Sequence, residues 1–185
     1  MAISDVKLGA CEVWYGATTA TLVNLGVTKG GVEVEVDTET YTVMVDQYGN
    51  SPIKEYITAR SCMVRAPLAE TSLANIEALI PGAGSVENSG SGSKVQVQQG
   101  IGTDLQASAK LLVLKPVASE TQLGVTPGTT SGNDNDNFVV PQAGLKGNLS
   151  YAFKLDEERI FNVEFTAYPD SNNNGVLFIV GDHTV

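Results

Sequence analysis

The stretch Gly30-Gly-Val-Glu-Val-Glu-Val-Asp37 alternates valines with acids. Successive side chains of a strand point to opposite faces, so the valines share one face and the acids share the other. The two sets are Val32, Val34 and Val36, and Glu33, Glu35 and Asp37. This pattern predicts a strand with an apolar face that can form the core and a carboxylate face.

A hairpin is predicted around the acidic stretch. The strand Val32–Val36 is followed by a turn at Asp37-Thr38-Glu39 and by a second strand, Thr40–Val45. A Gly- and Pro-containing turn then leads into a long extended run, Glu55–Pro67.

The two faces of Tyr56–Val64 are neither cleanly apolar nor cleanly polar. Two interpretations stay open. The segment is a central sandwich strand, or its second face or edge meets a neighbouring subunit. Four residues are the candidates for that contact: Tyr56, Thr58, Arg60 and Met63.

One amphipathic helix is predicted over Leu68–Ile80, closed by Pro81. Its apolar stripe makes Leu73, Ile76 and Ile80 the candidate core residues. The helix should cover one face of the sheet layer.

Strand patterns dominate the remaining sequence. Further strands are predicted at Glu12–Val23, Lys94–Gln98, Lys110–Lys115, Asn148–Leu155, Arg159–Tyr168 and Val176–Val180. The expected fold is mainly β, a β-sandwich or barrel of two packed antiparallel sheets with one flanking α-helix. It forms a single domain over residues 1–185, with flexible loops at 82–93 and 117–137.

Composition excludes several classes of protein. The 21 acids and 11 bases give a formal charge of −10, which disfavours a protein that grips nucleic acid. No apolar run is long enough to span a membrane, and no secretory leader is recognised at the N-terminus. Two cysteines, Cys11 and Cys62, are too few for a disulfide framework, so synthesis in a reducing cytoplasm is expected.

The residues needed for catalysis are missing. The single histidine, His183, cannot build a hydrolytic triad or a histidine-rich metal site. The stretch Asp170–Gly175 begins like a calcium loop but lacks the closing glutamate, and a plain turn accounts for it. No enzymatic activity, cofactor or metal is therefore expected.

The order of these elements resembles that of bacteriophage major tail tube proteins, particularly those of long, non-contractile tails. The resemblance is carried by Gly30–Val36, Val45–Pro52, Ala66–Glu70, Ser72–Ile80, and the closing pair Phe161–Asp170 and Gly175–Gly181. It implies a structural virion protein whose homo-hexameric rings stack into a hollow tube that conducts DNA without binding it specifically. It also implies a tape-measure protein and tail chaperones or terminators as partners, and a location in the virion tail after synthesis in the bacterial cytoplasm.

Within that resemblance, Glu33, Glu35 and Asp37 are candidate lumen-lining acids, and the alternative is an ordinary solvated sheet face. Two rival functions are carried forward: a ring protein of a type VI secretion tube, and a monomeric β-sandwich binding module.

Overall fold

The computed structural model describes residues 9–70, 72–88, 92–117, 124, 126–128, 134–145 and 159–182 of the 185-residue chain. Ten strands and one helix lie in these ranges. They are β1 Ala10–Gly16, β2 Val23–Asn24, β3 Glu33–Val43, β4 Lys54–Leu68, α1 Leu73–Leu79, β5 Ala83–Asn88, β6 Gly92–Val97, β7 Lys110–Val117, β8 Phe138–Leu145, β9 Phe161–Ala167 and β10 Ile179–Val180.

Eight strands form one antiparallel sheet in the order β2-β1-β7-β8-β9-β4-β3, with β10 paired to β8. The sheet curls until strands that are not neighbours touch. Tyr15 on β1 packs against Phe165 on β9 with ring centroids 5.2 Å apart. The Tyr15 hydroxyl also donates a hydrogen bond to the carbonyl oxygen of Ala143 on β8 at 3.1 Å.

The segment after β2 closes the curled sheet into a barrel. The Leu25 amide donates to the carbonyl of Val13 on β1. Two residues further along the chain, the carbonyl of Val27 accepts from the amide of Ala69. The Lys29 amide donates to the carbonyl of Pro67, and Thr28 forms an isolated bridge with Leu68. One short stretch thus joins β1 to the end of β4.

The barrel interior is filled by alternate residues of five strands, as the period of two requires. The largest of them are Val13, Tyr15, Val64, Leu68, Leu112, Leu114, Val140, Leu145, Phe161, Val163 and Phe165. A second, smaller cluster on the outer side of the sheet contains Trp14, Leu22, Val113 and Val139. Because β1, β7 and β8 are buried on both faces, their sequences lack clean alternation.

Helix α1 is shorter than predicted. β4 stays extended through Leu68, which pairs with Phe161 of β9, so no helix begins there. The helix begins after Ser72, whose hydroxyl oxygen accepts from the Asn75 amide at 3.2 Å, a standard N-cap. It ends at Leu79.

The predicted core stripe of α1 is also corrected. Leu73 is 47 % exposed, whereas Leu79 is buried at 3 % and Ile76 is half-buried against the core. Ile80 lies just past the helix and is half-buried. A helix of two turns anchored at its C-terminal end leaves its first residue in solvent.

Several predicted boundaries differ from the structure. β3 runs unbroken from Glu33 to Val43, so the predicted turn at Asp37-Thr38-Glu39 is wrong. Most of the predicted loop 82–93 belongs to the β5–β6 hairpin, and β8 was not predicted. The predicted strand Asn148–Leu155 and most of the predicted loop 117–137 lie outside the described residues. The mainly-β fold with one flanking helix is confirmed.

Candidate assembly surface

The hairpin of β3 and β4 extends well past the barrel. β9 pairs with β4 over Met63–Leu68, so among the described strands β4 from Lys54 to Cys62 pairs with β3 alone. We call residues Asp37–Ser61 the arm. All strand residues of the arm are exposed except Thr42 and Val43, which are half-buried. Among the described residues, no strand pairs with the outer edge of β3.

The arm and its base carry most of the exposed apolar surface. Of fourteen large hydrophobic residues found exposed in the described part of the chain, eight lie on this hairpin: Val34, Val36, Tyr41, Met44, Tyr48, Ile53, Tyr56 and Ile57. Concentrated exposed apolar residues mark interaction surfaces, and open strand edges are templates for pairing with another chain.

The prediction that the valines of the alternating stretch can form the core is wrong for Val34 and Val36. Val34 and Val36 stand opposite Val64 and Cys62 and therefore share the inward face of the sheet. Both are nevertheless 40 % exposed, while Val32 is half-buried against the core. The reason is that β3 is the last strand of the sheet, and the described part of the chain does not cover these two side chains.

The acids form a longer row than predicted. Because β3 is unbroken, Glu33, Glu35, Asp37 and Glu39 all point to the same outer face, spaced by about 7 Å along the strand. Glu39 was missed because it had been assigned to a turn. All four are exposed.

The acidic row is partly neutralised. Arg65, which stands opposite Glu33, places its Nη1 2.9 Å from Oε2 of Glu35 and its Nε 3.8 Å from Oε2 of Glu164. The Arg65–Glu35 side chains are about half exposed, so this pair contributes about 0–1 kcal/mol to stability. Its larger consequence is that Glu33, Asp37 and Glu39, but not Glu35, are the acids of this row that have no ion pair in the described chain.

A β-bulge reorders the faces of the arm. Glu39 stands opposite Ala59, but the next residue, Thr40, stands opposite Ile57, so Thr58 is an extra residue. Beyond the bulge the alternation of β4 is reversed. Tyr56 therefore lies with Tyr41 on the acidic face, and Ile57 lies on the inward face.

Of the four candidates for subunit contact, three lie in the arm. Tyr56 is 54 % exposed, Thr58 is the bulge residue, and Arg60 stands opposite Thr38 on the inward face. Met63 lies outside the arm, half-buried on the acidic face, where its sulfur accepts from Nη2 of Arg65 at 3.2 Å. Sequence periodicity alone had placed Tyr56 and Met63 on opposite faces; the bulge puts them on the same one.

A buried polar cluster on the other side of the barrel was not foreseen. Glu12 is 7 % exposed, and its carboxylate accepts from Trp14 Nε1 at 3.2 Å, Asn24 Nδ2 at 3.2 Å and the Gly124 amide at 2.8 Å. The carboxylate thereby holds the connection between β7 and β8 against β1. Lys115 stands opposite Glu12 and is also buried. A charged residue in the first strand gave no signal of this role.

The thiols are not poised for chemistry. Burial and, secondarily, the neighbouring Glu12 raise the pKa of Cys11 to about 11, and burial raises the pKa of Cys62. Both cysteines are free, and a protonated thiol is a poor nucleophile and metal ligand.

Metal and membrane sites are not found in the described ranges. No three His, Cys, Asp or Glu side chains there are grouped so that they could hold a metal ion. No helix of the described chain has both the length and the hydropathy for crossing a membrane. His183 lies outside these ranges.

No protein-family model matches the sequence, and no curated protein is significantly similar to it. The fold and the arm are therefore the basis for the functional argument.

Proposed function

We propose that this chain is the subunit of a self-assembling hollow tube of the kind found in phage tails, built from stacked hexameric rings through which DNA passes. The single observation that carries the proposal is the arm. It presents two exposed faces, apolar side chains and two open strand edges, and one chain supplies nothing in its described part to cover them.

The arm offers two different edges, and that asymmetry favours rings. The outer edge of β3 is one, and Lys54–Cys62 of β4 is the other. Pairing the first edge of one copy with the second edge of the next is a heterologous contact, which gives a closed ring when the rotation closes. Strand pairing also removes edges that would otherwise template aggregation.

The acidic face supplies the rationale for a DNA conduit. In a ring closed through the arms, one face of every β3 faces the bore, and the proposal assigns the face with Glu33, Asp37 and Glu39 to it. Phosphates then meet carboxylates instead of cations, so DNA does not adhere. The repulsion reaches about 8 Å at physiological ionic strength, so it keeps DNA off the wall without blocking a wide bore.

Charge opposes the assembly that the arm favours. Six copies carry a formal charge of about −60, six times the −10 of one chain. Burying the apolar side chains of the arm and forming new strand pairs must offset this repulsion. Assembly should therefore be promoted by added salt, which screens the repulsion and leaves apolar burial intact.

A second candidate is a monomeric binding module, favoured by the three exposed tyrosines of the arm, Tyr41, Tyr48 and Tyr56. Exposed aromatic side chains are suited to packing on the apolar face of a sugar ring. This function requires no self-association, so the state of the protein at high concentration separates the two candidates.

The test is sedimentation velocity over a concentration series, combined with negative-stain imaging of the most concentrated sample. The tube proposal expects rings or filaments with a central hole. A variant in which residues 39–59 are replaced by Asn-Gly, a favourable two-residue turn, should melt like the parent but stay monomeric. A parent protein that remains monomeric at every concentration and salt condition would remove the tube proposal.

The lumen assignment has its own test. Glu33→Lys with Asp37→Lys reverses two acids of the row and leaves the Arg65–Glu35 pair in place. Particles assembled with this variant should form normal tubes and eject DNA poorly. A control for charge reversal elsewhere is Glu77→Lys, which reverses one charge on helix α1. Normal ejection by the double variant would show that this face does not line the bore.

A further inference from the structure

A cavity lies under the inward face of the arm. Its volume is about 460 Å³, and it is lined by Arg60, Pro169, Gly175, Val176, Leu177 and Phe178. The arm supplies the arginine, and the link between β9 and β10 supplies the apolar wall. Arg60 is the only charged residue lining it among the described residues.

Arg60 has no anionic partner of its own. It stands opposite Thr38, and in the described chain its guanidinium forms no hydrogen bond or ion pair. The acid of the arm that shares this face, Glu55, already accepts from the Thr40 hydroxyl at 2.6 Å. The guanidinium of Arg60, at the rim of the cavity, is thus available to bind an anion. Anionic side chains are abundant, because the chain has 21 acids and 11 bases.

We infer that this cavity receives a carboxylate side chain from a second copy of the chain, with Arg60 binding the carboxylate and the apolar wall enclosing its aliphatic stem. The inference rests on the proposed function, because it names a contact by which copies associate. A planar guanidinium binds a carboxylate through two parallel hydrogen bonds, which gives such a contact geometric specificity.

The chemistry favours a protein carboxylate over a nucleic-acid phosphate. Three of the lining side chains, Val176, Leu177 and Phe178, are purely apolar, and a phosphate backbone with its hydration shell gains nothing from them. Each copy also carries many acids, and Asp37 and Glu39 lack an ion pair in the described chain. A second copy is therefore the occupant that the surface itself can supply.

The test compares Arg60→Glu with Lys54→Glu in the assembly assay. Both changes alter the charge of the arm by the same amount, but Lys54 stands opposite Val43 on the other face. Removing one partner of an enclosed charge pair costs about 2–5 kcal/mol, so Arg60→Glu should raise the concentration needed for assembly by roughly 30-fold or more. Lys54→Glu should change it by less than about threefold if only general repulsion acts.

Arg60→Lys and mixing experiments sharpen the test. Lysine keeps the charge but not the two-pronged geometry, so Arg60→Lys should show an intermediate loss. Arg60→Glu copies lose the arginine but keep the carboxylate that enters the cavity of a neighbouring copy. When mixed with the parent, they should therefore join growing assemblies and stop further growth at low molar ratio. Both variants should unfold at the same temperature as the parent, since the Arg60 side chain is exposed in the single chain.

The outcomes separate this inference from the proposed function. A parent that never assembles overturns both. If the parent assembles and Arg60→Glu has the same assembly threshold, the carboxylate contact is overturned and the tube proposal stands. The same holds if Lys54→Glu raises the threshold as much as Arg60→Glu does. Binding of a labelled DNA duplex that is lost in Arg60→Glu would assign the cavity to phosphate and also overturn the inference.

Discussion

Replacing the two tyrosines that face each other on the arm should separate folding from assembly. Tyr41 and Tyr56 are directly opposite on the acidic face and are 62 % and 54 % exposed. In the double variant Tyr41→Ser with Tyr56→Ser, a single chain loses only a cross-strand pair at an exposed position, which stabilises a sheet by about 0.2–1 kcal/mol. The free energy of unfolding of the monomer should fall by no more than that.

The effect on assembly should be much larger. An aromatic side chain has roughly 150–250 Å² to bury, so these exposed fractions leave about 230 Å² on the two rings together. At about 25 cal/mol per Å², complete burial between copies is worth up to about 5–6 kcal/mol. If half of this is realised, the assembly threshold rises about a hundredfold, since 1.4 kcal/mol corresponds to a factor of ten.

Sedimentation velocity over a concentration series measures the threshold, and thermal melting of dilute protein checks the fold. The control is Ile101→Ser, which removes an 84 % exposed apolar side chain from the turn between β6 and β7, away from the arm. An unchanged threshold in the double variant, or an equal shift in the control, would show that the arm is not the surface by which copies associate.

Three further predictions concern the fold. Leu79→Ala should reduce the free energy of unfolding by about 2–5 kcal/mol in urea titrations, because the side chain is buried, while Leu73→Ala should change it by about 0.5 kcal/mol or less. Glu12→Ala should cost about 3 kcal/mol or more because three donors lose their acceptor, and Glu12→Gln should cost less; equal losses would refute the hydrogen-bond account. Burial raises the pKa of Cys11 to about 11 from 9.0 and of Tyr15 to about 12 from 10.0, so the unfolded chain releases these protons first and stability falls as pH rises from about 9 to 12. Tyr15→Phe should make that alkaline decline shallower in the same titrations, and an identical slope would contradict it.

The sequence is enough to predict the fold class and most strands, because period-two alternation and turn residues are local signals. It places β9 well, since apolar alternation marks that strand clearly. It also places β7, whose continuous apolar run Leu111–Leu114 is typical of a strand buried on both faces. It fails at β8, which is buried on both faces and contains Pro141, so that alternation is absent. It also fails at the middle of β3, where Asp37-Thr38-Glu39 has turn-like composition but is held extended by pairing with Ala59–Ser61.

The candidate surface was predicted only in part. The acidic row and the unusual character of Tyr56–Val64 follow from the residues themselves. The arm does not, because whether a strand is covered depends on how far its neighbour β9 extends, and β9 reaches only to Met63. The bulge at Thr58 has no sequence signal either. Strict alternation therefore assigns Tyr56 and Ile57 to the wrong faces relative to Met63.

The extra residue at Thr58 also bears on how such a protein diversifies. Loss of that one codon would leave Ile57 opposite Thr40 and Tyr56 opposite Tyr41, so both side chains would keep their faces. The bend and the extra twist that a bulge gives a strand would be lost, and the tip of the arm would point in another direction. The barrel would be untouched, since the change lies beyond its wall. A single mutational event can therefore change the direction of the arm while its contact side chains and the barrel stay the same.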